Sequence, residues 1–205
     1  QSLRRELGIW KRLDHPNIVP FLGTAFGFGP HTSLISVWMC NGTLQSFLEV
    51  RGSSLTITDR FHLASFLHSV LAALHAFPMI HGDLTSNNIL IDEHSRARLV
   101  DFGFASVIGD LPDGLEYLQR STQRPGTTRW AAPERFKVDD FRPTTKSDIY
   151  SLGCIMLQVL TGRVPWSEIK DSMMVALQLL RGENPARPPS PVIEDEHWTL
   201  IEQCW

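Results

Sequence analysis

Three polar residues in the middle of the chain have the types and spacing of a site for metal and phosphate chemistry. Asp83 and Asn88 stand five residues apart in the segment HGDLTSNN (residues 81–88), and Asp101 follows Asn88 by thirteen residues, in DFG (101–103). Carboxylate and amide oxygens are the ligands that a hard cation such as Mg²⁺ takes, together with water and substrate phosphates. The segment therefore predicts a site for a divalent cation and a phosphorylated ligand.

These residues lie in loops that regular elements must hold in place. Before them, apolar residues at helical spacing predict a long helix over 59–76, with Thr58 as its candidate N-cap. After them, two short runs at 89–91 and 97–100 predict a β-hairpin. Asp101 then follows the second strand of this hairpin.

The flanking segments complete a pattern of mixed α and β elements. The further predicted elements are a helix over 3–13, strands at 18–28 and 34–39, a short helix from Thr43, a long loop over 101–134, and helices over 149–160 and 173–180. In the first helix, Leu3, Leu7 and Trp10 are expected on the buried face, and 149–160 is expected to be a buried central helix because it is apolar on nearly all faces. The order predicts an α+β protein with a small β-containing part and a mostly helical part.

Composition excludes several classes of protein. A chain of 205 residues with 42% hydrophobic and 20% charged residues is globular, and its apolar runs stay well below the roughly 18 residues of a membrane span. With 19 basic and 22 acidic residues the net charge is −3, which does not favour a nucleic-acid surface. The three cysteines match neither a metal nor a disulfide pattern, so a reducing, cytoplasmic location is expected.

Five motifs, taken together and in order, resemble those of eukaryotic protein kinases. Residues 81–88 resemble the HRDLxxxxN catalytic loop, 101–103 the DFG motif, and Ala132-Pro133-Glu134 the APE motif. Glu6 precedes HPNI (15–18) by nine residues, as the glutamate of the kinase αC helix does, and DIYSLG (148–153) is similar to the start of the buried αF helix. Each motif alone is weak, but the ordered set extends over the whole chain and is specific. The tyrosine-kinase-like group is the most similar.

The resemblance implies a protein-kinase-like two-lobed fold, with residues 1–40 as a remnant of the ATP lobe and 41–205 as the helical lobe. It implies that Asp83 accepts or orients the proton of a substrate hydroxyl and that Asn88 and Asp101 hold Mg²⁺ on ATP, with Glu6 as the αC glutamate. Protein hydroxyls and ATP are then the expected partners, with no nucleic acid and no membrane span. Cap or turn aspartates are the structural alternative for Asp83 and Asp101.

The resemblance places the adenine site less specifically. Aligned on the Asn-Gly pair at 41–42, Ser36 takes the gatekeeper position, and Val37, Trp38 and Met39 form the hinge whose backbone would meet adenine. An ordinary end of an edge strand is the alternative. Four further residues fall where kinases carry the regulatory spine, although an apolar core explains all except the histidine equally well: Phe102, His81, Trp10 and Phe21.

The chain also departs from the kinase pattern. Gly82 replaces the arginine that clamps a loop phosphate in the family, so loop phosphorylation is not expected to be the main switch. Thr85 replaces the lysine typical of Ser/Thr kinases, while Thr127 favours serine and threonine as acceptors. No glycine loop and no Val-Ala-x-Lys strand precede Glu6, so we expect a truncated fragment that is inactive alone, within a Ser/Thr protein kinase. The alternative is a pseudokinase that keeps the fold for scaffolding without turnover.

Overall fold

The computed structural model describes residues 2–29, 31–76, 79–107, 128–136 and 142–205. Helices and two-stranded antiparallel sheets are the regular elements of these ranges. In chain order they are α1 (Ser2–Trp10), β1 (Phe21–Ala25), β2 (Ser33–Ser36), α2 (Leu44–Arg51), α3 (Ile57–Ala76), β3 (Met79–Ile80), β4 (Ile89–Ile91), β5 (Ala97–Leu99), β6 (Ser106–Val107), α4 (Thr145–Thr161), α5 (Ser172–Leu180) and α6 (Asp195–Glu202). Short 3₁₀ turns cover Gly52–Ser54, Thr128–Trp130 and Pro133–Phe136. The mixed α and β fold with a mostly helical C-terminal part is confirmed.

The buried face of the first helix agrees with the prediction at Trp10 but not at Leu3. Leu3 is exposed and Leu7 half-buried, whereas Ile9 and Arg5 are buried. Arg5 tolerates this position because its guanidinium donates a hydrogen bond to the carbonyl of Gly103. Apolar spacing therefore identified only part of the buried face, because a charged side chain with a backbone acceptor occupies another part of it.

The two strands that follow are shorter than predicted. β1 pairs with β2 from Ala25 opposite Ser33 to Phe21 opposite Ser36, with a bulge after Phe21. The beginning of the predicted first strand pairs elsewhere, because the Val19 amide donates to the carbonyl of Leu99 at 2.9 Å. The segment before β1 thus connects the β1–β2 hairpin to β5.

The long helix α3 begins two residues earlier than predicted, and Thr58 is not its cap. Thr56 takes that role: its amide and hydroxyl donate to Asp59 Oδ2 at 2.9 and 2.7 Å, and the Asp59 amide donates back to Thr56 Oγ1 at 3.2 Å. This reciprocal pair satisfies amides that the first turn of a helix leaves unpaired. These bonds lower the pKa of Asp59, the side-chain bond from Thr56 contributing most.

The helix α4 forms the centre of the C-terminal part, as its apolar pattern predicts. It is longer than the predicted 149–160, because Thr144 and Ser147 form a capping box at its start. Most of its residues are buried, and it packs against α3. Arg60 of α3 joins the two helices by donating hydrogen bonds to the carbonyls of Val159 and Gly52.

Two small sheets carry the segments that resemble kinase motifs. The hairpin of β4 and β5 is confirmed, with Ile89 opposite Leu99 and Ile91 opposite Ala97. The β3–β6 pair lies outside the prediction, since two-residue strands leave no periodic signal. One contiguous apolar core extends from α1 through the hairpin to α3 and α4. Within the described ranges, no helix is long and apolar enough to cross a membrane.

Candidate functional site

The loop over 81–88 is held by a buried carboxylate at the start of α4. Asp148 Oδ2 accepts the amide of His81 at 2.8 Å, and Oδ1 accepts the amide of Gly82 at 3.0 Å. His75 Nε2 lies 3.3 Å from Oδ2 of the same carboxylate. Asp148 is only 1% exposed, so these contacts replace its lost hydration. The beginning of the loop is therefore fixed by a residue that lies more than sixty positions further along the chain.

Asp83 and Asn88 lie in direct contact. The Asn88 side-chain amide donates to the backbone carbonyl of Asp83 at 2.8 Å and to Asp83 Oδ2 at 3.3 Å. Asp83 is 6% exposed. Because the nitrogen of the Asn88 amide is directed at Asp83, its oxygen is the atom available to a cation.

Asp101 is brought beside Asn88 by the β4–β5 hairpin. Asn88 precedes β4 and Val100 follows β5, and the Val100 amide donates to the Asn88 carbonyl at 3.0 Å. Asp101 has a φ of 66°, in the left-handed region, where its side chain accepts the Gly103 amide at 3.2 Å. The three residues singled out from the sequence are thus assembled on adjoining backbone segments.

Glu6 reaches the same site from α1. A Cβ placed on Gly103 would lie 3.1 Å from Asp101 Oδ1 and 3.6 Å from Glu6 Oε2, so both carboxylates approach this glycine. Arg5 contacts the Gly103 carbonyl, as described above. Burial lowers the pKa of Arg5, and the neighbouring Glu6 charge opposes that shift. The first helix is therefore coupled to the DFG segment by two adjacent charged residues.

Four aromatic rings in successive contact, tilted or edge-on to one another, connect α1 to the loop. Phe102 lies 6.1 Å from Trp10 and 5.5 Å from His81, and Trp10 lies 5.3 Å from Phe21, all between ring centroids. His81 Nδ1 accepts the amide of Asp83 at 3.3 Å, so its Nε2 carries the proton and donates to the Val100 carbonyl at 3.3 Å. These rings occupy the positions that the resemblance assigned to the regulatory spine.

The predicted hinge, residues 37–39, presents backbone groups rather than side chains. Met39 is buried, whereas Val37 is 39% and Trp38 85% exposed. The Val37 amide donates to the Pro20 carbonyl at 3.3 Å, and the Met39 carbonyl accepts the Gly42 amide at 3.2 Å. Within the part of the chain that the structure describes, the Met39 amide and the Val37 carbonyl form no hydrogen bond. These are groups of the kind that could meet the edge of an adenine ring.

The donor set fits a magnesium ion bound together with phosphates. Asn88 and Asp101 supply oxygen ligands on adjoining segments. No group of three His, Cys, Asp or Glu residues in the described ranges could hold a metal ion. Mg²⁺ does not require such a cage, since it commonly keeps several waters and takes one or two carboxylates plus substrate phosphates.

Sequence reasoning missed two charged residues at the site. The DIYSLG motif predicts only a helix start at Asp148, although a carboxylate in the first turn of an otherwise buried helix itself indicates a buried polar contact. Arg135 donates to the carbonyl of Gly82 at 2.5 Å. Burial lowers the pKa of Arg135, while the charges of Asp83, Asp148 and Glu134 oppose that shift. Thr127, on which the prediction of serine and threonine preference partly rests, lies outside the described residues.

The fold and this site define a protein kinase domain, and comparison with known proteins agrees. The chain belongs to the protein tyrosine and serine/threonine kinase family, whose family model matches residues 1–205. It is 32% identical over its full length to a putative serine/threonine-protein kinase/receptor of Acanthamoeba polyphaga mimivirus, and covers 12% of that protein. It is 31% identical over its full length to the serine/threonine/tyrosine-protein kinase HT1 of Arabidopsis thaliana, and covers 50% of it.

A third relative has a different stated specificity. The dual specificity protein kinase splA of Dictyostelium discoideum is 30% identical over 98% of this chain, which covers 9% of that protein. The chain therefore spans half or less of the length of these curated relatives.

Proposed function

We propose that the protein to which this domain belongs is a catalytically active protein kinase that transfers the γ-phosphate of ATP to protein hydroxyl groups, preferentially those of serine and threonine. The assembly of Asp83, Asn88 and Asp101 at the ends of the β4–β5 hairpin carries the proposal. A pseudokinase has no need to keep all three residues in this arrangement. Phosphoryl transfer depends on alignment and charge neutralisation, which these residues can provide.

Each residue has a distinct part in the proposed mechanism. Asp83 accepts the proton of the substrate hydroxyl. The oxygen of that hydroxyl bonds to the γ-phosphorus, while the bond from this phosphorus to the departing ADP oxygen breaks. Asn88 fixes the Asp83 carboxylate through the 3.3 Å contact and offers its amide oxygen, with Asp101, to Mg²⁺. Bound Mg²⁺ would neutralise charge on the phosphate oxygens. Glu6 orients the DFG segment from α1.

Three finer assignments belong to the same proposal. The preference for serine and threonine is supported by Thr127 and by relatives named serine/threonine kinases. Assignment to the tyrosine-kinase-like group rests on Trp130, which stands just before the APE motif, and on DIYSLG (148–153). We place the lobe border between residues 40 and 41. Asn41 belongs with the helical lobe, because its backbone amide donates to the Ile91 carbonyl at 3.2 Å and its side-chain amide to the Asp92 carbonyl at 2.6 Å.

The test is phosphate transfer by the full-length protein to a generic serine- and threonine-containing substrate, with a tyrosine peptide in parallel. Asp83→Asn should reduce kcat by about 10²–10⁴-fold, the range typical of a lost general base. ATP binding should survive this change, because Asp83 is not assigned to the nucleotide. Asn88→Ala should reduce kcat by a similar or smaller factor.

The neighbouring Asn87→Ala is the matched control, since its side chain is exposed and has no role in the site. It should retain wild-type activity. Binding of ATP without turnover in the wild-type protein would favour the pseudokinase and overturn the catalytic proposal. Transfer to the tyrosine peptide alone would overturn only the serine and threonine preference.

A further inference from the structure

The catalytic loop (81–88) contains one buried carboxylate, contacts a second one in α4, and has no lysine or arginine of its own. Asp83 follows Gly82 directly and Asp148 accepts the Gly82 amide, and the two residues are 6% and 1% exposed. Buried carboxylates are costly unless hydrogen bonds or a positive charge compensate them. The motif that this loop resembles has an arginine at the position of Gly82, so in this chain a positive charge beside the loop comes from another segment.

Gly82 cannot readily be replaced by a residue that carries the charge. Its φ is 79°, a region that residues with a Cβ rarely adopt. A Cβ at this position would lie 2.9 Å from the Phe104 carbonyl oxygen and 3.2 Å from Pro143 Cγ. Both the backbone conformation and the close backbone contact therefore favour glycine.

Arg135 occupies the complementary position in space. It lies in the 3₁₀ turn Pro133–Phe136, is partly buried and donates to the Gly82 carbonyl at 2.5 Å. The carboxylates whose charges act on its guanidinium are those of Asp83, Asp148 and Glu134. His75 is a further titratable group beside Asp148. Arg135 thus holds the carbonyl of Gly82 from a separate segment, while Asp148 accepts the amide of the same glycine and Asp83 follows it in the chain.

We propose that Arg135 is a positioning residue for the catalytic loop. From the segment after the APE motif, Arg135 supplies the positive charge that the loop lacks at Gly82. It holds the Gly82 carbonyl and so fixes the backbone from which the adjacent Asp83 projects. The anchor is a permanent side chain and not a phosphate added to the protein, so it keeps the loop in place without prior phosphorylation. The inference deepens the proposed kinase function and rests on it for its effect on turnover.

The first experiment compares Arg135 variants in the full-length kinase. Arg135→Met removes the charge and all donors, and should reduce kcat by about 10–100-fold, the equivalent of losing hydrogen bonds to charged groups. The KM for ATP should stay within about twofold, because Arg135 contacts the loop and not the assigned nucleotide ligands. Arg135→Lys, which keeps the charge, should recover most of the lost kcat.

Arg60→Ala is the matched control. Arg60 also donates to backbone carbonyls, and burial likewise lowers its pKa, but it joins α3 to α4 away from Asp83. This variant should lower the melting temperature and leave kcat of the folded protein unchanged. A wild-type kcat in Arg135→Met, or a lysine variant as impaired as the methionine variant, overturns the inference.

A second experiment does not depend on turnover. The melting temperature is measured for Arg135→Met, Asp148→Asn and the double variant. Because Arg135 and Asp148 bond the carbonyl and the amide of the same residue, Gly82, loss of Arg135 should lower the melting temperature less in the protein that already carries Asp148→Asn, with a non-additivity of about 2–6 °C. Additive effects overturn the inference. If the wild-type protein fails to transfer phosphate but the non-additivity is present, the proposed function and the effect on turnover are overturned. The structural contact of Arg135 with the loop is still established in that case.

Discussion

The catalytic loop and the hinge are held by different kinds of contact. The loop over 81–88 is fixed through side chains: Asp148 holds its start, Asn88 holds Asp83, and most of its residues are buried. The hinge is fixed through its backbone, while Trp38 stands 85% exposed. Side-chain substitutions should therefore disturb the loop strongly and the hinge weakly, even though both regions belong to the same proposed ATP site.

The largest effect is expected at Asp148. Asp148→Ala removes the acceptor of the buried His81 and Gly82 amides. Each buried donor left without a partner costs about 1–3 kcal/mol, so the free energy of unfolding should fall by about 2–6 kcal/mol. In the protein that remains folded, displacement of the loop should reduce kcat by about 100-fold. Denaturant unfolding and steady-state kinetics measure the two effects.

Asp171→Ala provides the comparison for this variant. Asp171 also begins a helix and accepts one amide, that of Met173 at 2.9 Å, but it is exposed. Loss of such a cap costs about 0.5–2 kcal/mol. Equal losses of stability in the two variants would contradict the idea that burial makes Asp148 the stronger anchor.

An intermediate effect is expected at Asp92, in the turn that closes the β4–β5 hairpin. Burial opposes ionisation of its carboxyl, but bonds from the Arg96 amide, the Arg98 side chain and the His94 amide outweigh it and lower the pKa of Asp92. These bonds measure 3.0, 3.0 and 2.9 Å. Because the pKa is lower in the folded state, Asp92 contributes stability above the unfolded pKa of about 4 and loses it as pH falls through the folded value.

Asp92→Asn should therefore destabilise the protein by about 1.5–3 kcal/mol at neutral pH, the range for hydrogen bonds to a charged group. The difference from wild type should shrink as pH falls below about 4, where the wild-type carboxylate is progressively protonated. Denaturant unfolding from about pH 7 to about pH 3 measures this. Glu93→Gln, at the exposed neighbouring position, should follow the wild-type curve; an equal change in both variants would contradict the assignment to Asp92.

Local pattern predicted the parts of the fold in which neighbouring residues determine the structure. The β4–β5 hairpin and the buried helix α4 follow from apolar runs, and the sequence motifs identified Asp83, Asn88 and Asp101, which the hairpin brings to one place. Their approach is predictable because a hairpin necessarily places the residue before its first strand beside the residue after its second.

Contacts between distant segments could not be predicted in the same way. Asp148 and Arg135 reach the loop from positions more than fifty residues further along the chain, and no local periodicity records such a contact. The buried face of α1 was predicted only in part for a related reason, since Arg5 is tolerated there through a carbonyl of the DFG segment. The missed residues are thus those whose environment depends on the assembled fold.

The smallest effect is expected at the hinge. Trp38→Ala removes a large side chain that stands 85% exposed, so the free energy of unfolding should change by no more than about 0.5 kcal/mol. The proposed adenine contacts are the Val37 carbonyl and the Met39 amide, which the substitution leaves in place. The KM for ATP should therefore stay within about twofold in steady-state kinetics. A rise of about tenfold would mean that the Trp38 side chain itself contacts the nucleotide, and would remove the contrast between a hinge that acts through its backbone and a catalytic loop that acts through its side chains.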